Sequence, residues 1–138
     1  EFCAASHPAL AAFGANCGNG LGELVAAVAG IGAACEPDRV LVAKGNCGIP
    51  EFVDGEIRYT GTPELMKRYA RTVHDAGARI IGGCCGSTPE HIAALAEALA
   101  DHEASERPSL EQIEAELGLS RVAPPPDGGR KRRSRRRR

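Results

Sequence analysis

The sequence has no tryptophan, a single methionine, three phenylalanines and two tyrosines. With so few rings, stacked-base binding of single-stranded nucleic acid is excluded as an organising principle. No apolar run reaches the ~20 residues that span a bilayer, and no charged, apolar and small-residue leader pattern opens the chain. The first residues are Glu1-Phe2-Cys3 rather than Met, so we expect further protein upstream. Without an export signal the expected compartment is the reducing cytoplasm, where cysteines serve as thiols or metal ligands rather than as structural bridges.

What is present fits a globular domain. The 138 residues are 43% hydrophobic and 25% charged, room for one domain of ordinary size. The net charge of -1 conceals two opposed parts. Residues 130–138 read Arg-Lys-Arg-Arg-Ser-Arg-Arg-Arg-Arg, eight cations, which leaves nine basic against eighteen acidic groups in the body.

Apolar periodicity places the elements. Ala11 to Asn16 is a short apolar stretch that runs into the glycine-bounded turn at Cys17. Leu21, Leu24, Val25, Val28 and Ile31 then form one helical stripe, with Pro37 marking its end. Arg39-Val40-Leu41-Val42-Ala43-Lys44 reads as a buried parallel strand, broken by Gly45-Asn46-Cys47-Gly48-Ile49-Pro50. Thr62-Pro63-Glu64 is a helix start, with a capping hydroxyl, proline in the first turn and an acid facing the helix dipole. That helix closes at Gly77. Ala78 to Gly83 is another strand, and Thr88-Pro89-Glu90 repeats the start signal before Ile92, Leu95, Ala96 and Leu99. Strand and helix alternate three times, the pattern of parallel strands joined by helical crossovers. Ser109 to Leu117 predicts a short acidic helix ending at Gly118. Pro124 to Gly129 is a linker, and the arginine run after it predicts disorder.

This organisation puts Cys17, Asn46-Cys47 and Cys84-Cys85 at carboxyl ends of successive strands, the edge where α/β folds carry their sites. Zinc favours thiolate and nitrogen ligands in a tetrahedral set, and catalytic zinc keeps one position open. Gly82, Gly83 and Gly86 free the backbone for both vicinal sulfurs to turn toward one ion, and Cys17 is placed to add a third. Read from spacing alone, Cys84-Cys85 leaves metal binding and core packing both open. Cys3 and Cys35 read as small apolar residues, and Cys47 as a thiol outside the ligand set. His91 reads as a surface or capping residue, while His7, His74 and His102 show no partner pattern. Lys44 reads as solvated or salt-bridged, and Glu64 and Glu90 as helix-start acids.

Gly14-Ala15-Asn16-Cys17, Gly45-Asn46-Cys47-Gly48-Ile49-Pro50 and Ile81-Gly82-Gly83-Cys84-Cys85-Gly86-Ser87-Thr88-Pro89-Glu90-His91-Ile92 resemble, in order and spacing, the late motifs of the zinc-dependent homocysteine S-methyltransferases. The family includes betaine–homocysteine methyltransferase and the homocysteine domain of cobalamin-dependent methionine synthase. The resemblance covers about residues 10 to 100. It implies an α/β fold that is the carboxy-terminal part, strands six to eight, of a (β/α)8 TIM barrel. It implies Zn2+ held by Cys17, Cys84 and Cys85, with Asn46 as a labile fourth ligand that homocysteine displaces. Cys47 departs from the small residues usual at its position. The implied activity is transfer of a methyl group to the homocysteine thiolate, giving methionine, with the methyl donor left open. The implied partners are homocysteine, a methyl donor, and an amino-terminal barrel portion or a second copy.

The expected organisation is a barrel portion over 1–103, a short acidic helix over 104–119, and a Pro/Gly linker with its Arg-rich tail over 120–138. Two other readings accompany the enzyme: an inactive remnant that still binds zinc, and a protein that uses the tail to bind nucleic acid or an acidic partner in a salt-dependent way.

Overall fold

The computed structural model describes residues 10–36 and 38–119. Cys3, His7, Pro37, the Pro/Gly linker and the Arg-rich tail lie outside the described residues. The order of elements is β1 (Ala12–Asn16), α1 (Leu21–Ala33), β2 (Val40–Gly45), β3 (Pro50–Val53), β4 (Glu56–Tyr59), α2 (Pro63–Asp75), β5 (Ala78–Gly83), α3 (Pro89–Ala100) and α4 (Leu110–Leu117). No helix among these residues is long and apolar enough to cross a membrane.

Strands β1, β2 and β5 form one parallel sheet in the order β1-β2-β5. Alternation decides which face each side chain takes. Leu41, Ala43 and Gly45 of β2 point into the core and are buried, while Val40, Val42 and Lys44 between them are half-buried or exposed. Register carries this across the sheet: Val42 lies between Gly14 and Ile80, and Lys44 between Asn16 and Gly82. One face therefore packs on helices and the other is bare, with Ile80 51% exposed on it. Parallel sheets in α/β proteins are normally covered on both faces.

The core lies on the covered face. Leu24, Val25 and Val28 of α1, Met66, Tyr69 and Val73 of α2, and Leu95 of α3 join Leu41 and Ala43 in one cluster. The start signals read from the sequence are realised. Thr62 Oγ1 accepts the Leu65 N–H at 3.2 Å, and the Thr88 N–H donates to His91 Nδ1 at 3.1 Å. Helix α1 stops at Ala33, short of the end expected at Pro37, as Gly30 and Gly32 weaken its last turn. The predicted acidic helix forms as α4, capped by Ser109 with Gln112. It docks on α1 and α2 and buries Ile113 completely.

One feature lies outside the expected alternation. Between the loop after β2 and α2, residues 50–59 fold back as an antiparallel hairpin, β3 with β4. Its turn is Asp54-Gly55, with φ of 52° and 85°, the two left-handed residues of the tight hairpin turn that suits strand twist. Phe52 and Ile57 face each other across it and are 77% and 63% exposed.

Candidate metal centre

The three parallel strands end side by side, and each delivers its site residues just beyond its last residue. Cys17 follows β1, Asn46 follows β2, and Cys84-Cys85 follow β5. Backbone hydrogen bonds continue past the strand ends and fix these segments to one another. The Cys17 N–H donates to Lys44 O at 2.9 Å, the Cys84 N–H to Gly45 O at 2.7 Å, and the Cys47 N–H to Cys85 O at 2.9 Å.

Two backbone features aim the sulfurs. Cys17 has φ 68°, a left-handed conformation that costs a non-glycine residue about 1–2 kcal/mol. Cys84 to Ser87 form a turn closed by the Ser87 N–H donating to Cys84 O at 3.2 Å. Gly86 occupies its third position with φ 76°, as a type II turn requires. The turn takes the vicinal pair out of strand alternation, so both sulfurs face one point. The ring of Tyr59 fills the space that a Cβ at position 86 would need.

The result is a compact cluster. Cys17 Sγ lies 4.0 Å from Cys85 Sγ, and Cys85 Sγ lies 3.8 Å from Cys84 Sγ. All three sulfurs stand within 4.8 Å of one another. Cys17 and Cys84 are half-buried and Cys85 is exposed. Asn46 is buried at 3% exposure. Its Nδ2 donates to Gly18 O at 2.7 Å, which turns its Oδ1 toward Cys17, whose thiol donates to it at 3.2 Å.

The local field separates the thiols. Cys17 is held below its ordinary value, first by the Gly18 backbone N–H and then by Cys84, Cys85 and Asn46. Burial pushes Cys84 up, and the hydrogen bond with Cys85 adds to it. Burial also raises Cys47. That residue is 1% exposed, stands apart from the three-sulfur cluster, and packs its sulfur against Gly61.

His91 caps α3, and Lys44 is exposed. Glu64 lies 3.4 Å from Lys67, and Glu90 accepts from Thr88 Oγ1 at 2.6 Å, both at helix starts. Cys35 is a half-buried free thiol. His102, which shows no partner pattern in the sequence, finds one in the fold: its Nε2 lies 2.9 Å from Asp75 Oδ1, because packing of α2 on α3 joins residues 27 apart. Tyr59 also reaches the site, from the end of β4. Hydrogen bonding with Cys85, followed by burial, raises its phenol, so the hairpin brings a hydroxyl to the cluster. The Asp54-Gly55 turn was the signal that could have found it.

Comparison with known proteins places the chain beside a family of transferases. A family model described as homocysteine S-methyltransferase matches residues 1–99. Betaine–homocysteine S-methyltransferase 1 of Rattus norvegicus is 44% identical over 57 residues, covering 41% of this chain and 14% of the relative. S-methylmethionine–homocysteine S-methyltransferase of Pongo abelii is 42% identical over 57 residues, covering 41% of this chain and 16% of the relative. The chain thus spans about one-seventh of the length of these curated relatives.

Proposed function

Since the chain belongs to the homocysteine S-methyltransferase family, we propose that it is the zinc-binding, carboxy-terminal portion of a (β/α)8 barrel that methylates the sulfur of homocysteine to give methionine. The observation that carries this reading is the spacing of the sulfurs. With Zn–S bonds of about 2.3 Å, neighbouring thiolates on a tetrahedral ion stand about 3.8 Å apart. The distances of 3.8 and 4.0 Å are close to it, and the third pair lies within 4.8 Å. Cys17, Cys84 and Cys85 would hold the ion, and Asn46 Oδ1, which faces Cys17 Sγ at 3.2 Å, would offer it an oxygen that a substrate sulfur could displace.

When bound, zinc supplies one thing: it deprotonates an incoming thiol, which with a free value of ~8.5 is mostly protonated at neutral pH. The chain's residues do the rest. Exposed Cys85 leaves the cluster open to an incoming ligand. The backbone bonds among the strand ends hold the three sulfurs in place, and Asn46 stays fixed by its bond to Gly18. In the overall reaction an S–CH3 bond forms on homocysteine, the bond from methyl to donor breaks, and the thiol proton passes to solvent.

The barrel reading draws on the bare face of the sheet. Val42, Ile80 and Lys44 face away from the helices, where a closed barrel would bury such positions in its interior. Five further strands would cover them and supply the groups that hold the amino acid end of homocysteine and the methyl donor.

The test combines metal analysis with turnover. The chain is expected to purify with one tightly held thiolate-bound zinc, and to methylate homocysteine once the amino-terminal barrel portion is supplied. Zinc without turnover in that complex would mark an inactive remnant. No thiolate-bound zinc at all would end the proposal.

A further inference from the structure

A second group of ligand-type side chains converges away from the cysteines. His74 and Asp75 lie at the end of α2, and β5 begins at Ala78 just after them. His102 follows the last residue of α3, Ala100. The group thus sits at the amino end of β5 while Cys84 follows its carboxyl end. Six strand residues at about 3.3 Å each separate the two sites by about 20 Å.

One ligand atom from each of His74, Asp75 and His102 lies within 4.8 Å of the other two. His102 and Asp75 are mostly shielded, with 19% and 15% of their side chains exposed. Asp75 Oδ1 is 2.9 Å from His102 Nε2 and also accepts the Ser105 N–H at 2.9 Å. These contacts account for Asp75 and His102 but not for His74. Its Nδ1 is buried and, among the described residues, has no hydrogen-bond partner. A shielded polar atom left so costs about 1–3 kcal/mol. The two imidazoles meet edge to face, with centroids 5.6 Å apart and planes at 64°, so they converge rather than stack.

We propose that His74, Asp75 and His102 form a second metal site, which takes a borderline divalent cation such as Zn2+, Co2+ or Ni2+ on two imidazole nitrogens and one carboxylate oxygen. With bonds of about 2.1 Å, adjacent ligand atoms on one ion stand about 3.0–3.4 Å apart. The 2.9 Å between His102 and Asp75 is already close to that, and binding would draw the His74 nitrogen in from within its 4.8 Å limit. Two imidazoles select these ions over Mg2+ and Ca2+, which prefer oxygen. A hollow of about 430 Å³ opens beside Asp75 and His102, lined also by Arg68, Arg71 and Glu116, and admits water for the remaining positions. The charge of Arg79 acts on His74 and opposes a cation, which keeps this site weaker than a three-thiolate one. A bound ion would tie the end of α2 to the segment that leads into α4, a structural staple.

The experiment titrates the untagged full chain with Co2+ and follows visible and near-ultraviolet absorption together with the melting temperature. Thiolate-bound cobalt shows sulfur-to-metal charge-transfer bands, and cobalt on nitrogen and oxygen does not. The proposal expects an equivalent that lacks those bands and raises the melting temperature. His74→Gln and His102→Gln should each remove that equivalent and its thermal shift while any thiolate-bound equivalent remains. His74→Gln leaves the Asp75 contacts with His102 and Ser105 in place, so loss there reports on metal rather than on folding. Absence of such an equivalent from the unmodified chain, or its survival in either variant, overturns the proposal. Failure of the cysteine reading would instead show as missing charge-transfer bands.

Discussion

The side-chain carbonyl of Asn46 lies 3.2 Å from Cys17 Sγ, although the two residues are 29 positions apart. The contact exists because β1 and β2 end in register, Asn16 beside Lys44, with one site residue delivered just past each strand. Asn46 cannot swing away, since its amide is spent on Gly18 O. Asn46→Ala therefore leaves three sulfurs in place but removes both an oxygen turned to the site and a support for the loop of Cys17. The expected result is unchanged zinc stoichiometry with affinity about tenfold or more weaker, the size of effect that supporting groups have on metal sites. Competition with a chromophoric chelator measures it; an unaltered affinity would remove Asn46 from the site.

Cys17 provides a test of backbone strain that is independent of metal. Its φ of 68° suits glycine and penalises any residue with a Cβ. In metal-free chain, Cys17→Gly should exceed Cys17→Ala in stability by about 1 kcal/mol, the reverse of the usual order in regular structure. Urea unfolding of the two variants measures the difference. Equal stabilities, or a more stable alanine, would mean that the turn relaxes when the sulfur is gone.

Gly86 and Tyr59 are coupled by space. A Cβ at position 86 meets the Tyr59 ring, and the φ of 76° adds backbone strain. Gly86→Ala should destabilise by about 1–3 kcal/mol. In a Tyr59→Ala background the same substitution should cost less, because only the backbone part remains. A double-mutant cycle by chemical denaturation reads the coupling, and additive effects would show that the hairpin does not rest on the cysteine turn.

Helix α4 tests where the folded unit ends. Ile113 is fully buried against the other helices. Ile113→Ala should cost about 2–4 kcal/mol if α4 is an integral layer. A loss below about 0.5 kcal/mol, the level of an ordinary surface change, would make residues 104–119 an appendage.

Much of this was legible because it is local chemistry. Thr62-Pro63-Glu64 and Thr88-Pro89-Glu90 start helices wherever they are packed, and the apolar run Val40 to Ala43 marks β2, although only the fold shows that Leu41 and Ala43 take its buried face. The cysteine cluster was legible at one remove, since parallel strands bring their ends to one edge. The β3–β4 hairpin was harder to see. Its strands are four residues each, with Glu51, Glu56 and Arg58 beside exposed Phe52 and Ile57, so no apolar face stands out. Tyr59 was missed along with it. The pairing of His102 with Asp75 has no local signature, because only the packing of α3 against α2 creates it.

The most direct measurement of the central claim is zinc K-edge X-ray absorption on the full chain carrying one equivalent of zinc. The account predicts three sulfur neighbours at about 2.3 Å and one lighter oxygen or nitrogen neighbour. The Cys84→Ser variant should lose a sulfur from that shell. A shell made of oxygen and nitrogen alone, or one that Cys84→Ser leaves unchanged, would contradict it.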